Sequence, residues 1–159
     1  METQSLDAPI VRKATPEDIP AIKAFIENFI EGGEVLPRTL AEIEELLPTF
    51  FVATFDGDIV GCATLEIYSW KLAEIRSLCV SPKVQGRGLG KRLVELCLEL
   101  AREREILEVM AITHKEDFFK GCGFDFTLPN LKKALFAQTR TADATPHTQD
   151  PSKGHRHGR

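Results

Sequence analysis

The stretch QGRGLGK, residues 85–91, places three glycines between an apolar run and a charged, leucine-rich run. The run before it ends in LCV and has the composition of a strand, and the run that follows, KRLVELCLEL, has that of an amphipathic helix. A strand that turns through glycines into a helix directs several backbone N–H groups at one point, beside the positive end of the helix dipole. The stretch therefore predicts a fold of strands and helices that binds a phosphate or pyrophosphate here.

Two common phosphate-binding motifs do not match this stretch. The P-loop has a glycine where this chain has Gln85, and a serine or threonine where it has Arg92. The dinucleotide fingerprint has its third glycine where this chain has Lys91. What remains is the pattern [Q/R]-x-x-G-x-[G/A], which is filled by Gln85, Gly88 and Gly90.

The composition is that of a single soluble domain. The chain has 159 residues, a formal net charge of −4, and 28% charged and 43% hydrophobic residues, so we expect no nucleic-acid partner and no membrane partner. The segment METQSLDAPI has neither the basic nor the apolar part of a targeting signal, which predicts a cytoplasmic protein. The four cysteines, at positions 62, 79, 97 and 122, have no paired spacing, so we expect no metal site and no disulfide.

Hydrophobic periodicity divides residues 10–138 into strands and helices of one domain. Thr15 and Pro16 begin a helix that ends at Gly32-Gly33, and Thr39 begins a second helix that ends at Pro48. Strands are predicted at 10–13, 50–55, 59–68, 72–80 and 107–113, with a further helix at 91–104. EDFFKGCGF (116–124) predicts a short helix that ends in a glycine turn, and FDFTL (124–128) and ALFAQ (134–138) predict closing strands. Residues 1–9 are predicted to be flexible, and residues 139–159, which have almost no large apolar residue, to be disordered.

In this setting the glycine pattern resembles the pyrophosphate-binding loop of the GCN5-related N-acetyltransferases (GNAT). The similarity covers residues 10–137 and includes the connector SPKV and the later turn GCGF. It implies an α/β (α+β) fold with a mixed, mostly antiparallel central sheet flanked by helices, and acetyl-CoA as co-substrate. The residues that the resemblance assigns to acetyl-CoA are Leu78, Cys79, Val80, Gln85, Gly86, Arg87, Gly88, Leu89, Gly90 and Lys91.

The strand before the loop carries the candidate catalytic groups. Alternation along AEIRSLCV predicts Glu74, Arg76 and Leu78 on one face, and Ser77 and Cys79 on the other. A carboxylate and a guanidinium in so apolar a strand are costly to bury unless they are paired with each other or used. The resemblance implies that Glu74 takes the proton of the amine, and that the N–H of Leu78, where the strand splays, polarises the acetyl carbonyl. It also implies that the backbone of the residue at position 80 pairs with the pantetheine arm.

The chain departs from the resembled family at the leaving group. Many relatives carry a tyrosine acid where this chain has Phe119, and its one tyrosine is Tyr68. A thiol has a reference pKa of ~8.5, so its thiolate leaves without a dedicated acid, with water or Cys122 as weaker candidates for the proton donor.

Three further segments, GEVLPRTLAEIEELL, WKLAEIRSLCV and LPNLKKALF, resemble the acetyltransferase domain of bacterial N-acetylglutamate synthases, in particular the short single-domain kind. The resemblance implies direct acetylation of the α-amine of L-glutamate, in arginine biosynthesis. Because bidentate arginine suits carboxylates, we expect Arg38 and Arg76 to bind the acceptor, with His114 beside them and Lys132 or Lys133 as a third contact. His114 stands where some such synthases carry an arginine.

Two alternatives stay open from the sequence. The acceptor is another small amine, such as a different amino acid, a polyamine or a protein N-terminus, or the chain is a non-catalytic module that binds acetyl-CoA. The edge strand ALFAQ would also allow two copies to pair as a homodimer.

Overall fold

The structure is a computed structural model that describes residues 8–126 and 135–139. The chain divides into two compact units after Phe124. The strands of the first unit are β1 (Ile10–Lys13), β2 (Phe50–Phe55), β3 (Asp58–Ser69), β4 (Leu72–Val80) and β5 (Glu108–Met110). Its α-helices are α1 (Ile19–Glu27), α2 (Leu40–Leu46), α3 (Leu89–Glu103) and α4 (Glu116–Gly121). In the second unit, residues 125–126 and 135–139 form neither helix nor strand.

The five strands form one mixed sheet in the order β1-β2-β3-β4-β5. The pairs β1-β2, β2-β3 and β3-β4 are antiparallel, and β4-β5 is parallel. The turn between β2 and β3 is Asp56-Gly57, and both residues have positive φ, as a two-residue hairpin turn requires. The mixed, mostly antiparallel sheet flanked by helices, predicted from the sequence, is confirmed.

Two apolar clusters cover the two faces of this sheet, because successive residues of each strand point to opposite sides. Phe51 and Ala63 pack with Leu93 of α3 in one cluster. Val52, which follows Phe51, packs with Ile22 of α1 in the other. Helix α3 therefore covers one face of the sheet, and α1 and α2 cover the opposite face.

Two helices have boundaries that differ from the predicted ones: one ends earlier and one begins earlier. In place of the first predicted helix, the structure has a turn of 3-10 helix at Pro16–Asp18 followed by α1. Helix α1 ends at Glu27, before the predicted end at Gly32-Gly33. Asn28 ends it early, because its amide donates to the carbonyls of the last turn. Helix α3 begins two residues before the predicted start, because Gly88 adopts φ 74° and caps it.

Both closing strands are wrong over the residues that the structure describes. At residues 124–126, the carboxylate of Asp125 accepts from the N–H of Phe126 at 2.7 Å, and such a local bond competes with a strand ladder. At residues 135–139, Leu135 is 90% exposed, so the half-buried surface that favours a strand is missing there. Residues 135–138 of ALFAQ thus do not form the edge strand through which we expected two copies to pair. The homodimer itself stays a prediction.

The predicted flexible N-terminus and disordered tail fall outside the described residues, except for positions 8, 9 and 139. Within the ranges 8–126 and 135–139, no helix combines the length and the apolar character needed to cross a membrane.

Candidate active site

A cavity of about 640 Å³ opens beside β4 and the loop that precedes α3. Its lining residues lie within the ranges 33–38, 74–80, 84–91 and 112–119. Every residue that the sequence assigned to acetyl-CoA, to the acceptor or to the base contributes to this lining, except two. The guanidinium of Arg87 lies 5.7 Å from the ring centroid of Phe55 instead, and the third acceptor contact, Lys132 or Lys133, lies outside the described residues. The structure thus brings the predicted residues together around one cavity.

Strand β4 contains a bulge that reverses the predicted alternation after Arg76. Arg76 stands opposite Thr64 and Cys79 stands opposite Cys62, so the two residues between them on β4 face a single residue of β3. Ser77, in this bulge, has φ 54°. Cys79 therefore lies on the same face as Arg76, and Leu78 packs with the cluster on the α3 side. The prediction that Leu78 shares a face with Glu74 is wrong for this reason.

The sheet opens at the middle of β4. Strand β5 pairs with β4 over three residues, from Leu72 to Glu74 on the β4 side. The predicted strand 107–113 is shorter because the pairing ends at Met110, and residues 112–115 line the far side of the cavity. Beyond Glu74, β4 no longer pairs with β5, and residues 74–80 line the cavity. The splay near Leu78 that the resemblance implied, with an N–H free for the acetyl carbonyl, stays a prediction.

The loop before α3 presents donors to the cavity. The first α3 hydrogen bond from this end runs from the N–H of Arg92 to the carbonyl of Gly88, at 3.0 Å. The N–H groups of Leu89, Gly90 and Lys91 thus have no partner within the helix. Since all three residues line the cavity, their donors and the helix dipole favour an anion at this end.

Arg38 and Arg76 both contact the carboxylate of Glu66. Nη2 of Arg38 lies 3.6 Å from Oε2 of Glu66, and Nη1 of Arg76 lies 3.2 Å from the same oxygen. Arg38 also donates from Nε to the hydroxyl of Ser77 at 3.2 Å, and its side chain is only 8% exposed. The two guanidiniums are therefore held close together, although they come from a loop and a strand.

Glu74 is buried and accepts a short hydrogen bond. The hydroxyl of Tyr68 donates to Oε1 of Glu74 at 2.6 Å. Burial, followed by this bond to a carboxylate, raises the pKa of Tyr68 to about 12, so its hydroxyl keeps its proton near neutral pH. Glu74 is 7% exposed and lines the cavity, which leaves its second oxygen as the acceptor for a ligand.

The family model of the acetyltransferase (GNAT) family matches residues 21–124. The chain belongs to the GNAT acetyltransferase family. It is 35% identical to an uncharacterized N-acetyltransferase of Chlorobaculum tepidum, over 85% of this chain and 84% of that protein. It is 34% identical to the amino-acid acetyltransferase of Mycobacterium tuberculosis, over 73% and 68% of the two chains. The structure of N-acetylglutamate synthase from Neisseria gonorrhoeae, complexed with coenzyme A and N-acetyl-glutamate, is similar with a TM-score of 0.64. It is 30% identical over 72% of this chain and 27% of that one.

GNAT acetyltransferases use acetyl-CoA as co-substrate, and the loop before α3 has the features that its pyrophosphate needs. The three free N–H groups of α3 point to an anion site, and a Cβ added to Gly86 or Gly88 would meet no atom within 4 Å. Lys91 adds a positive charge on the cavity wall. The residues present therefore fit an anionic group, and the polyphosphate end of acetyl-CoA carries one.

Phe119 places an apolar ring where the resemblance implied a tyrosine acid. Phe119 is 8% exposed and packs edge-on against Phe118 and Phe124, with ring centroids 5.1 and 5.2 Å apart. It supplies no proton to a leaving group. Cys122, the alternative donor, is absent from the cavity lining, and burial raises the pKa of its thiol, so solvent is the better proton source.

Two polar residues of the site were missed by sequence reasoning. Glu66 and Tyr68 of β3 contact the predicted residues from the neighbouring strand. Their signal in the sequence is weak: a carboxylate interrupts the apolar run IVGCATLEIY just before its end. Which groups they meet depends on the pairing register, and no pattern within one strand contains that information.

Proposed function

We propose that this acetyltransferase transfers the acetyl group of acetyl-CoA directly to the α-amine of L-glutamate. The observation that carries the proposal is the pair of guanidiniums of Arg38 and Arg76. They line the same cavity as Glu74 and the glycine loop before α3. Arginine is the side chain best suited to a planar carboxylate, and glutamate offers two. The names of the Mycobacterium and Neisseria relatives support the same acceptor class.

The proposed reaction needs no acyl-enzyme. The free oxygen of Glu74 takes a proton from the α-ammonium, directly or through water. The amine nitrogen then attacks the thioester carbonyl carbon, a C–N bond forms, and the C–S bond breaks. The attacking nitrogen becomes positively charged and gives its second proton to solvent, and the coenzyme A thiolate leaves and takes a proton from solvent. Glu74 returns its own proton to solvent before the next turnover, so the net reaction releases one proton. The N–H of Leu78, in the open part of β4, would stabilise the carbonyl oxygen, and the Val80 backbone would hold the pantetheine arm.

A second candidate acceptor is an amino acid without a side-chain carboxylate. The guanidinium of Arg38 already has two carboxylate neighbours, Glu42 at 3.5 Å and Glu66 at 3.6 Å. An incoming side-chain carboxylate therefore meets a guanidinium whose positive charge is partly neutralised, whereas a neutral side chain makes no use of that charge. This candidate keeps the cofactor site and the role of Glu74.

The test is release of coenzyme A thiol from acetyl-CoA with a panel of amino acids, polyamines and short peptides. We expect saturable release with L-glutamate, and a fall of kcat by about a hundredfold or more in Glu74→Gln. Glu99→Gln, on the exposed face of α3, is the matched control and should behave as wild type. Release with a neutral amino acid alone would favour the second candidate. Acetyl-CoA binding without release for any amine would overturn both.

A further inference from the structure

Strand β3 presents two polar side chains, Glu66 and Tyr68, toward the polar residues of β4. Glu66 stands directly opposite Glu74, and Thr64 stands opposite Arg76. Residues two apart on a strand share a face, so this face of the hairpin holds two carboxylates, a guanidinium and a phenol. Neither Glu66 nor Tyr68 lines the cavity, and Tyr68 is 49% exposed, so the two residues reach the site through their contacts with Glu74, Arg38 and Arg76.

The two carboxylates take diagonal partners instead of facing each other unpaired. Like charges directly opposite each other on a strand pair are destabilising, and diagonal neighbours lie within reach of long side chains. Glu66 accepts from Nη1 of Arg76 at 3.2 Å, and Glu74 accepts from the hydroxyl of Tyr68 at 2.6 Å. The same hydroxyl lies 3.5 Å from Glu66, so the shorter bond assigns it to Glu74. Glu74 is therefore paired with the phenol of Tyr68, and Glu66 with the guanidinium of Arg76.

We propose that Tyr68 and Glu66 are positioning residues of the acceptor site: Tyr68 fixes the carboxylate of Glu74, and Glu66 fixes the guanidiniums of Arg38 and Arg76. This inference rests on the proposed function, because it assigns Glu74 to the base and the arginines to the acceptor. Tyr68 occupies one oxygen of Glu74 and leaves the other for the amine. Glu66 touches both guanidiniums through one oxygen, so it sets the distance between them.

The raised pKa of Tyr68 agrees with this role and disfavours a role as proton donor. With a pKa of about 12, the phenol stays protonated and acts as a fixed hydrogen-bond donor. A group that gives up its proton during turnover would need a pKa much closer to the working pH.

The test compares two isosteric variants, Tyr68→Phe and Glu66→Gln, by steady-state kinetics with the acceptor and acetyl-CoA varied separately. In Tyr68→Phe we expect kcat to fall about tenfold, with both KM values within about twofold of wild type, since a hydrogen bond to a charged group is lost. In Glu66→Gln we expect the acceptor KM to rise about tenfold, with kcat and the acetyl-CoA KM little changed. A general structural role would move the kinetic constants of both variants in the same way.

A double variant tests whether Tyr68 acts through Glu74. Tyr68→Phe introduced into Glu74→Gln should lower kcat by less than about twofold, because the base that it positions is already absent. Melting temperature and acetyl-CoA Kd of each variant show that the fold is intact. Wild-type kinetics in either single variant, or additive losses in the double variant, would overturn the inference. A wild-type enzyme that is inactive with every amino acid would instead overturn the proposed function, and this inference with it.

Discussion

Gly90, in the first turn of α3, lies against the ring of Phe118 in α4. A Cβ added to Gly90 would stand 3.3 Å from Cζ of Phe118 and 3.7 Å from Cγ2 of Val80. Both of these neighbours line the cavity. The missing side chain at position 90 therefore sets how closely α3, α4 and β4 approach each other around the cavity.

Gly90→Ala should weaken acetyl-CoA binding while leaving the fold intact. The ring of Phe118 must move by a few tenths of an ångström, which shifts part of the cavity wall. If the shifted wall costs the complex ~1 kcal/mol, Kd rises about fivefold. Isothermal titration with acetyl-CoA measures this change. Gly121→Ala is the matched control, because its added Cβ meets nothing within 4 Å. Equal Kd values for wild type and Gly90→Ala would contradict the role assigned to this contact.

Gly88→Ala should affect both stability and binding, for a different reason. Gly88 has φ 74°, and an alanine held there costs about 1 kcal/mol of the free energy of unfolding. Gly57→Ala, at φ 80° in the β2-β3 turn, carries the same backbone strain outside the cavity lining. Urea unfolding should show similar losses in the two variants, and titration should show weaker acetyl-CoA binding in Gly88→Ala alone. Unchanged binding in Gly88→Ala would argue against this loop as the anion site.

The main elements could be predicted from the sequence because each has a strong local signal. The β2-β3 hairpin combines a change of period with an Asp-Gly turn. Helix α2 has a threonine cap whose hydroxyl accepts from the N–H of Glu42 at 3.1 Å. The glycine loop stands between a strand and a helix, and the cavity forms where that motif predicted a site.

The features that could not be predicted depend on contacts between elements. A serine inside a strand pattern does not predict a positive φ, which Ser77 has. Strict alternation therefore placed Leu78 and Cys79 on the wrong faces of the sheet. The contacts of Glu66 and Tyr68 require the β3-β4 register. The early end of α1 follows from the side chain of Asn28, which folds back on the helix.

Arg38→Lys should raise the acceptor KM with little change in the KM for acetyl-CoA. Lysine keeps the charge but loses the Nε–H bond to Ser77 and the planar fork that matches a carboxylate. We expect an increase of about tenfold in the acceptor KM, in line with the loss of one charge-assisted hydrogen bond. The control is Arg102→Lys, on the exposed side of α3. An acceptor KM unchanged in Arg38→Lys would remove Arg38 from the acceptor site.

Asp18 should make the stability of the fold depend on pH. It accepts from both Nη atoms of Arg12, at 2.7 and 2.9 Å, and this ion pair holds the pKa of Asp18 at about 2, below its ordinary value of 3.8.

Because the pKa is lower in the folded chain, the stabilisation is fully present above about pH 4 and is lost as the pH falls through 2. Arg12 is 39% exposed, so screening limits the effect, and Asp18→Asn should lower the free energy of unfolding by about 1 kcal/mol at pH 7. The difference between wild type and variant should shrink between pH 4 and pH 2, as measured by urea unfolding. Asp58→Asn, at an exposed strand end, is the control and should differ from wild type by less than about 0.5 kcal/mol throughout. A difference for Asp18→Asn that stays constant down to pH 2 would show that the side chain acts through packing and not through its charge.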